Sequence, residues 1–230
     1  MHPLDRPVWE SLSTYHAGLS EGNALARRFR RDVNLFAAAC DDSVAAMAAL
    51  ADLVKPAESV YLLQVSNIVI PPGLNEIKAA RGVQMVASRS LAAEVTGEDI
   101  VTLSDADAPE MLALARLTEP GPFLERTHAM GTFIGIRMEG RLAAMAGERM
   151  RFPGHTEVSG VCTHPDFRGR GYARRLSAAV AARIEARGDQ PFLHAWKTNH
   201  SAISLYEKLG FRLRTEVNVS VLERGPLANI

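Results

Sequence analysis

The chain has 230 residues, and its 26 Lys and Arg balance 26 Asp and Glu, so the formal net charge is zero. Hydrophobic residues make up 47% and charged residues 23%, an ordinary globular mixture that can bury a core without staples. Disorder and fibre are excluded on that basis, and the neutral balance argues against a protein built to hold nucleic acid. Met1–Arg6 carries no apolar stretch behind a basic region, so no secretory signal is expected. Pro7–Leu19 has helical spacing at Val8, Leu12, Tyr15 and Leu19. Arg27–Arg31 is read as surface or interface charge. Asp41-Asp42-Ser43 offers an N-cap to an Ala-rich helix from Val44 to Val54, stopped by Lys55-Pro56. Its run Val44–Ala51 is the longest apolar stretch, far short of the roughly 20 residues of a membrane span. Ser59–Val65 reads as a buried strand and Val83–Ala87 as another, with a turn at Pro71-Pro72-Gly73 between them.

From Asp99 the pattern sharpens. Ile100–Leu103 reads as a strand, Asp107–Thr118 as a helix with Pro109 just inside its start, and Phe123–Met130 as a second short helix. Thr132–Met138 and Leu142–Met150 flank Glu139-Gly140-Arg141 as a hairpin, and Glu157–Thr163 is a third strand. Gly171–Ala186 is a helix, Phe192–Trp196 a strand, Ser201–Leu209 a helix and Phe211–Leu222 the last strand. This order mixes hairpins with crossovers, so the sheet should be mixed rather than parallel. Cys40 and Cys162 cannot build a disulfide framework, and a reducing, cytoplasmic setting is expected.

The zero charge hides an asymmetry. Residues 1–100 carry 9 basic and 12 acidic groups, the remainder 17 and 14. His164–Arg187 alone holds six Arg against Asp166 and Glu185, which suits a small anionic ligand. In its midst Arg168-Gly169-Arg170-Gly171-Tyr172-Ala173 joins a strand to a long helix. Two glycines let the backbone turn tightly, and the helix that follows aims its unpaired N–H groups and positive dipole end at the turn. Arg168, Arg170, Arg174 and Arg175 would add charge where phosphates lie. No Gly-Lys-Ser/Thr follows, which rejects a P-loop, and the glycine spacing does not fit a dinucleotide fingerprint.

These residues resemble the GNAT superfamily of acyl-CoA N-acyltransferases. The family's Q/R-x-x-G-x-G/A pyrophosphate loop matches Arg168–Ala173, after a strand Val158–Thr163 and His164-Pro165-Asp166-Phe167. Asn199-x-x-Ala202-x-x-x-Tyr206-x-x-x-Gly210-Phe211 matches the second hallmark. The spelling Ser204–Phe211 leans toward the glycine N-acyltransferase-like branch. The resemblance covers Ile100–Arg224 and implies an α/β (α+β) fold with a mixed, mostly antiparallel sheet flanked by helices. Residues 99–230 would form that domain, and residues 1–98 a smaller α/β domain that could be a degenerate GNAT-like half.

The resemblance further implies acetyl-CoA as co-substrate and an unidentified amine as acceptor. The cofactor-binding set would be Val161, Cys162 and Thr163, the loop Arg168, Gly169, Arg170, Gly171, Tyr172 and Ala173, and Asn199 and Tyr206. Val161 and Thr163 would pair by main chain with the pantetheine arm, and an N–H near Val161 would polarise the thioester oxygen, worth roughly 2.7–4 kcal/mol. Tyr206 is the candidate general acid, with a core tyrosine as the bland alternative. Asn199 either contacts pantetheine or caps its helix. Glu157, expected on the strand face of Ser159, Val161 and Thr163, is the candidate base, against a solvated strand-end carboxylate. Cys162 reads as buried core rather than nucleophile. His164 and His194 are candidates to line the site, and no histidine spacing suggests a metal. A monomer or homodimer without nucleic acid or membrane partners is expected. A catalytically inactive CoA-binding regulator and an interaction module working through Arg27–Arg31 are the alternatives.

Overall fold

The computed structural model describes residues 2–97 and 99–225. After a single 3-10 turn, α1 spans Pro7–Ser13, followed by a small sheet of β1 (Ser20–Gly22), β2 (Ala26–Phe29) and β3 (Ala37–Ala39). The expected helix to Leu19 ends early because Ser13 Oγ donates back to the Trp9 carbonyl (2.7 Å), a local bond that competes with the helical ladder. Strands of three or four residues are too short to show a period, so this sheet has no sequence signature. It also corrects the reading of Arg27–Arg31. Arg28 is buried, and its guanidinium donates to Glu58 at 2.6 Å beneath the core residue Phe29.

Next come α2 (Val44–Asp52), capped by Ser43 Oγ accepting from the Ala46 amide, then β4 (Ser59–Gln64) and β5 (Leu74–Ala87). β5 is far longer than the expected Val83–Ala87, because its polar first half is held by pairing with the last strand rather than by burial. The chain continues through β6 (Ile100–Thr102), α3 (Ala108–Thr118), β7 (Phe133–Met138), β8 (Arg141–Phe152) and β9 (His155–Thr163). Then follow α4 (Tyr172–Ala186), β10 (Gln190–Trp196), α5 (His200–Leu209) and β11 (Phe211–Arg224). The short helix expected at Phe123–Met130 is only a 3-10 turn over Thr127–Met130. Thr127 Oγ1 accepts from the Leu124 amide and donates to the Val33 carbonyl, so these groups go to a turn and a tertiary contact.

Eight strands form one sheet in the order β4-β11-β5-β10-β9-β8-β7-β6. Every neighbouring pair is antiparallel except β9 and β10. The mixed, mostly antiparallel sheet flanked by helices is thus as expected. β4 and β5 from the first hundred residues belong to this sheet, with β5 between β10 and β11. Hydrogen bonding therefore runs across the expected division, whose residue 98 lies outside the described residues, as do 226–230. Alternation sends Ile134, Ile136, Leu193 and Phe211 to one face under α4 and α5. Phe152, Phe192, Val217 and Val219 face the other way, against α1, Phe29 and Phe36. No described helix is long and apolar enough to cross a membrane.

Candidate active site

The site begins at the one parallel pair. β9 and β10 are hydrogen-bonded only from His155 to Glu157 and from Gln190 to Phe192, although both strands continue. Beyond that point the edge of β9 facing β10 has no strand partner, and a cavity of about 640 Å³ opens there. Val161, Cys162 and Thr163 line it on one side and His194 to Trp196 on the other. A bulge shapes this edge. Gly147 pairs with Ser159 but Met145 with Cys162, so β9 carries an extra residue around Gly160. Gly160 has φ of 62°, and a Cβ there would stand 2.8 Å from the Phe133 ring, so only glycine fits.

The loop after β9 closes the next wall. Arg168 to Ala173 all line the cavity, with Gly169 and Gly171 at φ of 76° and 75°. A Cβ on either would meet nothing within 4 Å, so it is the positive φ and not packing that calls for glycine there. Gly171 starts α4 without a side-chain cap, and the first helical bond runs from the Arg175 amide to the Gly171 carbonyl at 3.1 Å. The amides of Tyr172, Ala173 and Arg174 therefore precede the ladder and suit an anion. Arg168 and Arg170 line the cavity and enter no ion pair among the described residues. Arg175 is turned away, bonded to Asp99 and the Thr96 carbonyl, and Arg174 pairs with Glu94. Two of the four expected phosphate arginines are thus committed elsewhere. The loop and uncapped helix fit a diphosphate.

Tyr206 and Asn199 from α5 line the same cavity. Burial pushes the Tyr206 phenol up to about 12, so it holds its proton across all ordinary pH. Asn199 Oδ1 accepts from the Ala202 amide at 3.1 Å, so it caps α5 while standing at the cavity. Burial likewise raises the Cys162 thiol to about 11, which makes it a poor nucleophile. Among the two candidate histidines, His194 lines the cavity, whereas His164 accepts from the Asp166 amide outside the lining.

Glu157 requires correction. It was expected to share a strand face with Val161 and Thr163 and to meet the substrate amine, but the bulge breaks the alternation and leaves Cys162 on the face of Ser159. Glu157 is fully buried. Its carboxylate accepts from Arg149 Nε and Nη2 (2.8 and 2.6 Å), from His194 Nδ1 (2.7 Å) and from the Met150 amide (3.3 Å). Burial opposes its charge, yet the Arg149 guanidinium overrides that and holds the carboxyl at about 2. So saturated an anion is a poor acceptor for an ammonium proton.

Donor logic fixes the rest of this network. Arg214 Nη1 donates to Gln84 Oε1 at 2.9 Å, so the other end of that amide is the donor. Gln84 Nε2 donates to the Leu4 carbonyl and to His194 Nε2 at 3.0 Å. His194 Nε2 is then an acceptor and Nδ1 carries the proton given to Glu157. Arg214 also donates to Asp5. A chain of bonds thus ties the N-terminal turn to the cavity wall. Sequence reasoning missed Arg149, which meets Glu157 across the β8–β9 hairpin, and Gln84 and Arg214, whose partners lie 80 residues or more away along the chain.

Comparison with known proteins bears on this arrangement. The family model of FR47-like protein matches residues 133–220. A solved structure from Novosphingobium aromaticivorans, assigned to the GNAT family as an acetyltransferase, is 44% identical. It superposes with a TM-score of 0.92 over 98% of this chain and 100% of that one. A GCN5-related N-acetyltransferase from Kribbella flavida is 18% identical, with a TM-score of 0.64 over 98% and 97% of the two chains, a likeness of fold alone. No curated protein sequence matches significantly.

Proposed function

The chain belongs to the GNAT family of acetyltransferases, and on that premise we propose that it moves an acetyl or short acyl group from acyl-CoA to a primary amine by direct attack in a ternary complex. One observation carries this reading. The unpaired edge of β9, the uncapped start of α4 and the Tyr206 side chain line one cavity. Acyl-CoA supplies the activated thioester. The turn from Arg168 to Ala173 holds its diphosphate through main-chain N–H groups, aided by Arg168 and Arg170. The free edge of β9 at Val161 and Thr163 pairs with the pantetheine arm, as an added strand does. A main-chain N–H near Val161 steadies the oxygen as charge builds on it.

Attack by the neutral amine forms the C–N bond, and the C–S bond breaks. Tyr206 gives its proton to the departing sulfur and regains one from the amine nitrogen, so amide and thiol leave with no net proton change. A phenol held at about 12 stays protonated between turnovers, which keeps the donor ready. Glu157 and the His194 Nε2 lone pair are both occupied, so the acceptor sheds its ammonium proton to water before it reacts.

Calorimetric titration with acetyl-CoA tests the site. Replacing Gly169 and Gly171 together by Glu should weaken binding by about a hundredfold or more, since carboxylates would occupy the anion cradle. Unchanged affinity in that folded variant overturns the assignment.

A further inference from the structure

Resting on the acyl-transfer reading, we infer that the acceptor is an α-amino acid with an apolar side chain, its carboxylate held by Arg149. Away from the loop that precedes α4, the cavity is walled by Phe36, Leu63, Val217 and Val219, brought together by β-pairing across three segments, the Phe36 bridge to Tyr61, β4 and β11. Arg149 stands in the same wall, its guanidinium 5.0 Å from the Phe36 ring and its side chain only 11% exposed.

The guanidinium is half committed. Nε and Nη2 are taken by Glu157, while Nη1 forms no hydrogen bond among the described residues. Glu157 cannot serve Nη1 as well, because its two oxygens already accept from Arg149, His194 and the Met150 amide. Donors here outnumber acceptors, and a second carboxylate entering the cavity would satisfy the surplus. Arg149 also borders a recess between the Pro120–Pro122 loop and Ser159-Gly160, just before Val161 on β9. A carboxylate at Arg149 therefore lies close to the reacting carbonyl, as it must when amine and carboxylate share one carbon. Among the described residues the only carboxylate side chain lining the cavity is the exposed Glu119. A polyamine or a lysine-rich segment would find no uncommitted anion in this wall to meet its further charges, because Glu157 is already saturated, and would bring a cation against the Arg149 guanidinium. The remaining volume, once a pantetheine arm is seated, suits a small molecule.

The test compares L-phenylalanine, phenethylamine and spermidine on the full-length protein. Binding to the CoA-saturated protein is measured by calorimetry, and turnover with acetyl-CoA by thiol release. L-Phenylalanine should surpass phenethylamine by about tenfold or more in both Kd and kcat/KM, the effect of one charge-assisted hydrogen bond. Arg149→Lys should bring the two ligands toward parity while leaving acetyl-CoA affinity unchanged. Equal or better use of phenethylamine or spermidine by the unmodified protein overturns the inference and leaves acyl transfer standing. Preferential binding of L-phenylalanine without thiol release from any amine upholds the carboxylate subsite and overturns the proposed function instead.

Discussion

The two ends of the cavity are built in different ways. At the end proposed for acyl-CoA, six consecutive residues from Arg168 to Ala173 supply a turn, two left-handed glycines and a helix start. At the end proposed for the acceptor, Phe36, Leu63, Arg149, His194 and Val217 come from five separate elements or loops. The first end is a local conformation and the second a convergence. A local device can be read from a short motif and broken by a backbone change. A convergent one depends on side chains that hold each other, so its weak points are buried polar partners.

The largest expected effect tests the convergent end. Glu157 sits at about 2 against an ordinary 4.5. Because its folded pKa is depressed, the stability it contributes is fully present above pH about 4.5 and is lost as pH falls through 2. The loss is about 3 kcal/mol by linkage, visible as a falling urea midpoint between pH 5 and pH 2. Glu157→Gln should cost about 3–5 kcal/mol at pH 7 by leaving Arg149 uncompensated, and should flatten that acid limb. An unaltered limb in the variant would mean the acceptor end is not held by this pair.

Tyr206 stands between the two ends. Tyr206→Phe should lower kcat about a hundredfold while acetyl-CoA affinity stays the same by calorimetry. If kcat is unchanged at every pH, Tyr206 is a core residue and the chemistry lies elsewhere. The smallest effect separates neighbours within the acyl-CoA end. Arg168→Gln should weaken acetyl-CoA binding by about tenfold, as expected for a charge-assisted contact. Arg175→Gln should change it by less than about threefold, because that guanidinium is already bonded to Asp99. Equal effects would place both arginines at the phosphates.

Much of the fold was legible in the sequence. Ser43 before an Ala-rich run announced α2, Gly210 after Leu209 closed α5, and Glu139-Gly140 turned the β7–β8 hairpin with both residues at positive φ. What escaped reading has a physical cause in each case. β1 to β3 are shorter than any detectable period. The first half of β5 is polar and is held by β11. The Phe123–Met130 segment gave up a helical ladder for the Thr127 bonds. The turn and helix start from Arg168 to Ala173 were equally legible, except that charge alone could not tell Arg168 from Arg175, which is bonded to Asp99. Glu157 was expected on the strand face of Val161 and Thr163, and that placement was misread, because a period of two does not survive the bulge at Gly160.

By itself the sequence determined the turn and the uncapped helix start between Arg168 and Ala173, along with the Tyr206 position one helix away. These depend on φ values, N–H groups and spacings set by residues adjacent in the chain. Only the tertiary structure decided that β5 lies between β10 and β11, carrying Gln84 to His194 across 110 residues. The same folding brought Arg214 to Asp5 across 209. A hydrogen bond between such distant partners has no local propensity behind it. The Gln84–His194 bond exists because the sheet has already buried both side chains, and burial leaves a polar atom no alternative to finding a partner.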